Sequence, residues 1–69
     1  MPIKKGNRII LRFKRAFYPE KIVKESIKGV KVIKEEKVGD YLIFEIEGTE
    51  EIAWKIYEKV LEEVMEART

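Results

Sequence analysis

The chain has 69 residues, 41% of them charged, with 15 Lys and Arg against 13 Asp and Glu and neither His nor Cys. A chain this short makes one domain, residues 1–69, and buries only about 60% of the surface its unfolded form exposes, so a thin core and help from a partner chain are expected. Without His or Cys it is denied disulfide staples and Cys/His metal sites, leaving idealised packing and oligomerisation as the usual supports of a small fold.

Residues 8–14, Arg-Ile-Ile-Leu-Arg-Phe-Lys, alternate with period two. Ile9, Leu11 and Phe13 point one way, and Arg8, Arg12 and Lys14 the other with Ile10 among them, which predicts a half-buried strand. Pro19 suits a first helical position, Glu20 the positive end of a helix dipole and Gly29 a left-handed cap, predicting a short helix over about 19–28. Val30–Lys37 and Tyr41–Glu47 are runs rich in β-branched and aromatic residues, and Gly39-Asp40 between them suits a type II′ connection, predicting an antiparallel hairpin. Thr49 can then cap a long final helix with Glu50 and Glu51 in its first turn, running to about Ala67.

The expected fold is therefore α+β: a two-layer sandwich of order βαββα, with a three-stranded antiparallel sheet and both helices on one face. Core candidates are Ile9, Leu11 and Phe13, then Val30 and Val32, then Leu42, Phe44 and Ile46, with Ile22, Val23, Ile27, Ile52, Ala53, Ile56, Tyr57, Val60 and Val64 from the helices.

Apolar residues remain once that core is filled. At about 100° per residue, Trp54, Leu61 and Met65 lie about 180–220° around the final helix from Ile52, forming a second stripe beside the core face. Burying each contributes roughly 1.5–3 kcal/mol, which matters in a small domain, so a tilted first helix or another chain should cover them. On the sheet face opposite the core, alternation places Ile10, Ile33 and Ile43 in a row amid charges. Such a row serves either as a modest partner patch or as ordinary cross-strand packing.

Charge is divided along the chain. Residues 1–34 carry 11 basic and 2 acidic side chains, a net +9, and residues 35–69 carry 4 basic and 11 acidic, a net −7. Surface pairing between the two halves is the ordinary resolution of such an asymmetry. The first 15 residues nonetheless concentrate Lys4, Lys5, Arg8, Arg12, Lys14 and Arg15 with no acidic residue, and Phe17 and Tyr18 follow. Contact with nucleic-acid phosphates is the functional reading of that cluster, although no RNA-recognition aromatic consensus or GXXG loop accompanies it.

Chemistry beyond binding has little to work with: one Ser (Ser26), one Asp (Asp40) and two Thr. The glutamates read as a solvated surface, and no catalytic residue and no enzymatic activity are expected. Gly6, Gly29, Gly39 and Gly48 punctuate elements rather than cradle a phosphate, so no cofactor and no metal are expected. The longest apolar run, Tyr41–Phe44, falls far below the roughly 20 residues that span a bilayer, and the N-terminus has no signal-like apolar stretch, so a cytoplasmic location without membrane contact is expected.

Arg8-Ile-Ile-Leu-Arg-Phe leading into Pro19-Glu20-Lys21-Ile22-Val23, then Tyr41-Leu-Ile-Phe-Glu-Ile-Glu, then Glu51-Ile-Ala-Trp-Lys-Ile-Tyr-Glu-Lys-Val-Leu carry a family resemblance. From Arg8 to about Ala67 the chain resembles the small dimerising subunit of the KEOPS complex, which assists transfer of threonylcarbamoyl to adenosine in tRNA, or its divergent archaeal paralogue. The family's first helix is usually longer, and Ile52, Ala53, Trp54 and Lys55 stand where it commonly has an Arg and small polar residues, which favours the paralogue. The Lys-, Glu- and Ile-rich composition is similar to that of thermophile proteins. The resemblance implies a noncatalytic subunit that dimerises, docks on the helical part of a catalytic partner and helps to bind tRNA. Trp54, Leu61 and Met65 would then be interface residues and the basic first strand a tRNA-facing surface. The alternatives are a free-standing RNA- or DNA-binding module and a ferredoxin-like regulatory domain that takes a small ligand between protomers.

Overall fold

A computed structural model of the chain describes residues 2–68. Six elements follow in order: β1 (Ile3–Lys5), β2 (Arg8–Lys14), α1 (Glu20–Ser26), β3 (Val32–Val38), β4 (Tyr41–Glu47) and α2 (Glu50–Ala67). The fold is α+β, and its antiparallel sheet has four strands in the order β1-β2-β4-β3, one more than the three expected from the sequence. The added strand is β1. Its three residues are too few to show a period, but they are joined to β2 by Gly6-Asn7, a two-residue hairpin connection like Gly39-Asp40. Gly6 and Gly39 adopt φ of 64° and 57°, while among the described residues none other than glycine has a positive φ, so both loops follow the II′ pattern with glycine first.

β2 and β4 are the centre of the sheet, and their burial alternates strictly, with Ile9, Leu11 and Phe13 facing Ile46, Phe44 and Leu42 across the ladder. These six join Val23 and Ile27, together with Ala53, Ile56, Val60 and Val64, in one core cluster, so both helices lie against the same face of the sheet. Phe13 sits at its heart, with ring contacts to Tyr18, Phe44 and Tyr57 at 5.8, 6.3 and 4.8 Å.

The outer strand β3 departs from expectation. All seven of its residues are exposed, because α1 holds to it through charges rather than apolar packing: Lys24 contacts Glu35 at 3.3 Å and Lys37 contacts Glu20 at 3.0 Å. Val32 lies opposite Ile46 yet stays exposed at this uncovered edge, and Val30 is only partly buried. Ile52 is also exposed, since the first turn of α2 projects beyond the core and packs instead beside Gly48. Ile22 and Tyr57 border the core rather than fill it.

The helices end as the sequence predicts in one case and differently in the other. The Thr49 hydroxyl accepts a hydrogen bond from the Ile52 N–H at 3.3 Å, capping α2. Pro19 occupies the cap position of α1 rather than its first turn; its carbonyl accepts from the N–H groups of Ile22 and Val23. Of the eight ion pairs among the described residues, five join the basic N-terminal half to the acidic C-terminal half. All eight lie at the surface, with Glu20 and Glu45 only half-buried, so solvent screening keeps their contribution to stability small.

Candidate functional site

Two surfaces carry the features that the sequence singles out. The first is the outer flank of α2. Its inner face is fixed by Ala53, Ile56, Val60 and Val64, and α1 packs beside the flank that carries Lys59 and Glu63. Trp54, Leu61 and Met65 therefore turn away from α1 and remain 46%, 49% and 60% exposed. The Trp54 ring lies 6.0 Å from that of Tyr57, and a shallow groove between Tyr18, Trp54, Tyr57 and Leu61 continues along Leu61 and Met65. Its rim is acidic, formed by Glu58, Glu62 and Glu66.

Tyr57 joins this flank to the sheet. β1 pairs only with the first part of β2, so the edge of β2 beyond Ile10 has no strand beside it. The Tyr57 hydroxyl accepts from the Arg12 N–H at 3.0 Å and donates to the Arg12 carbonyl at 3.3 Å, while the Lys14 carbonyl accepts from the N–H groups of Phe17 and Tyr18. The exposed edge is thereby closed without a partner strand. Burial pushes the Tyr57 phenol above 10.0, its bonds to Arg12 acting in the opposite direction.

The second surface is the sheet face turned away from the helices. Arg8, Ile10, Arg12 and Lys14 of β2 occupy it with Tyr41, Ile43, Glu45 and Glu47 of β4, by the same register that sends their neighbours into the core. The irregularity between Val32 and Lys34 alters what β3 adds. It places Lys34 and Glu36 opposite Glu45 and Ile43 and turns Glu35 to the helix side. The expected row of Ile10, Ile33 and Ile43 is therefore not formed: Ile10 lies opposite Glu45, Ile43 lies opposite Arg12 and Glu36, and Ile33 falls within the irregularity. Ile10 and Ile43 still share a shallow depression, together with Lys5, Lys34, Glu36 and Glu45.

The six N-terminal cations do not gather at one place. Lys5 shares the open face with Arg8, Arg12 and Lys14, whereas Lys4 pairs with Ile9 in register and so lies on the helix side, near the N-terminus of α2. Arg15 follows the end of β2, its N–H bonded to the Asp40 carbonyl at 2.7 Å. Arg8 is held by Glu45 at 3.1 Å. Two aromatic residues join this surface: the Arg12 guanidinium lies 5.9 Å from the Tyr41 ring centre and the Lys14 ammonium 5.4 Å from that of Phe17. The place of Tyr41 follows from its alternation with Leu42, whereas the position of Phe17 in the turn after β2 has no periodic signal.

Chemically these surfaces suit binding. Ser26, the single serine, donates its hydroxyl to the Ile22 carbonyl at 2.9 Å, and the described residues contain no cluster of three or more Asp and Glu placed to hold a metal. No helix of the described residues is long and apolar enough to cross a membrane. Comparisons of the chain with protein-family models, curated proteins and solved structures give no match in any of the three.

Proposed function

We propose that this protein is a noncatalytic assembly subunit that docks on another protein through the outer flank of α2. The observation that carries the reading is the stripe of Trp54, Leu61 and Met65, three large apolar side chains about half exposed on one helix. Trp is among the residues that dominate interface binding energy, and aromatic residues and Met are enriched at interfaces relative to the rest of the surface. The strand edges are poor alternatives. Four of the seven residues of β3 are charged, and β1 is three residues long and preceded by Pro2, so neither edge invites a further strand. Docking therefore falls to the helix.

The resemblance to the small KEOPS subunit or its archaeal paralogue gives this reading its biological form: a cytoplasmic two-layer subunit that dimerises, joins a tRNA-modification complex and adds a basic surface for tRNA. Sedimentation equilibrium of the pure protein, alone and with a purified KEOPS-type catalytic subunit, tests it. A dimer or a stoichiometric complex that Leu61→Glu dissolves, with the circular dichroism spectrum unchanged, supports the proposal; a monomer indifferent to the partner overturns it. A second reading, a free-standing nucleic-acid-binding module, is favoured by the open sheet face, where Lys5, Arg12 and Lys14 have no ion-pair partner among the described residues.

A further inference from the structure

We infer that the open face of the sheet binds single-stranded nucleic acid lengthwise along β2, with Arg12 and Lys14 on successive phosphates and Tyr41 and Phe17 stacked on bases. This deepens the nucleic-acid contact of the proposed function and rests on that part of it, not on the docking of α2.

Charge selects a polyanion for this face. Its carboxylates are already engaged: Glu45 by Arg8 at 3.1 Å, Glu36 by Lys34 at 2.8 Å and Glu47 by Lys31 at 3.5 Å. What remains uncompensated among the described residues is Lys5, Arg12 and Lys14, all positive and all on the same side of the sheet. A second copy of the chain would bring three like charges against these three, so a self-complementary sheet-to-sheet dimer is disfavoured here.

Geometry selects a single strand. Arg12 and Lys14 are two residues apart on an extended strand, about 6.8 Å, comparable with the separation of successive phosphates on an extended nucleic-acid chain. The ring of Tyr41, opposite Lys14 in register and 41% exposed, offers a flat surface beside these cations, and Phe17, 55% exposed, offers another at the end of the strand. Cations that track a backbone beside aromatic platforms recognise unpaired bases, because a base held in a duplex has no free face to stack. The depression over Ile10 and Ile43 supplies an apolar floor between the rows of charge. On the opposite layer α2 is rich in glutamate, which repels the same ligand and confines it to the sheet.

Fluorescence anisotropy of the full chain with a labelled 12-nucleotide oligouridine, and with a duplex of equal length, tests the inference. The single strand should bind more tightly than the duplex, with a log-log salt slope of about −2 to −3, so that raising salt from about 50 to 200 mM weakens binding roughly 16- to 64-fold. Arg12→Ala with Lys14→Ala should flatten that slope by about 1.4. Tyr41→Leu, which keeps apolar bulk beside Val38, should weaken binding about fivefold or more and leave the slope unchanged. The control, Lys21→Ala with Lys59→Ala on the helix layer, should bind as the parent does, and Leu61→Glu should abolish docking while retaining oligouridine binding. The inference is overturned by equal or tighter binding of the duplex, by a control as damaging as the Arg12 and Lys14 changes, or by no binding up to roughly 100 µM, the weak limit of non-specific contacts. Failure of the unsubstituted chain to dimerise or to dock on the partner, with its oligouridine binding intact, would refute the assembly reading alone.

Discussion

Along α2, Ala53, Ile56, Val60 and Val64 are shut away against the sheet, whereas Trp54, Leu61 and Met65 on the same helix stay about half exposed. Composition does not separate the two flanks, since the exposed one carries the larger side chains. Position does. The inner four lie in the core that the sheet and α1 share, while the outer three turn away from α1, on the flank where Trp54 and Leu61 adjoin Tyr57, whose hydroxyl closes the edge of β2 that β1 is too short to reach. Apolar content on a small domain is thus divided by what the neighbouring layer can reach, and the part left over is available for association.

The sharpest way to break this comparison is to truncate each flank in turn. Phe13→Ala, which removes the ring under the inner flank, should cost about 3–5 kcal/mol and leave the domain largely unfolded in a chemical denaturation series. Leu61→Ala should stay within roughly 0.5 kcal/mol of the parent in the same series, because a half-exposed side chain with no covering layer contributes little. Equal losses would mean that the outer flank belongs to the core. Next in size, Tyr57→Phe removes the hydroxyl that completes the edge of β2 and should lower the unfolding free energy by about 0.5–1.5 kcal/mol.

Titration sharpens the contrast further with smaller effects. Folding raises the Tyr57 pKa above 10.0 through burial, so its folded form prefers the protonated phenol. That contribution is whole below pH 10.0 and is lost as pH rises through the folded value, so thermal stability should fall in strong alkali, and less so in Tyr57→Phe. Glu20 behaves in the opposite sense. Hydrogen bonds from Lys24, then Lys37, hold its carboxyl below the usual 4.5, so its contribution is present above pH 4.5 and disappears as pH falls through the folded value. Because the group is exposed, acid melts of Glu20→Gln and the parent should differ only slightly, at the junction of α1 and β3.

How much of this was legible before the fold was known varies with position. β2, β4, α2 and the Thr49 cap announce themselves through strict alternation, helical spacing and a capping hydroxyl, and each appears where the sequence predicts it. β1 did not, although Gly6-Asn7 ahead of an alternating run is the same hairpin signal that located β3 and β4. The row of Ile10, Ile33 and Ile43 does not form because Ile33 itself falls in the irregularity between Val32 and Lys34, beyond which the two faces of β3 are exchanged. Of the surfaces, the apolar stripe on α2 is readable from helical angles, but its exposure is not, since it depends on where α1 packs. Of the aromatic neighbours of Arg12 and Lys14, Tyr41 is placed on the open face by its alternation with Leu42, whereas the turn that brings Phe17 back over Lys14 has no periodic signal.

By itself the sequence determined the α+β class, the identity of the central strands and the surplus of apolar residues on α2, because these follow from local periodicity and from the small volume that 69 residues can enclose. Tertiary structure alone decided which cations remain uncompensated, which strand edge needs a tyrosine hydroxyl and where α1 lies relative to the stripe. Those outcomes depend on contacts between residues far apart in the chain, whose register a single added residue in β3 is enough to change.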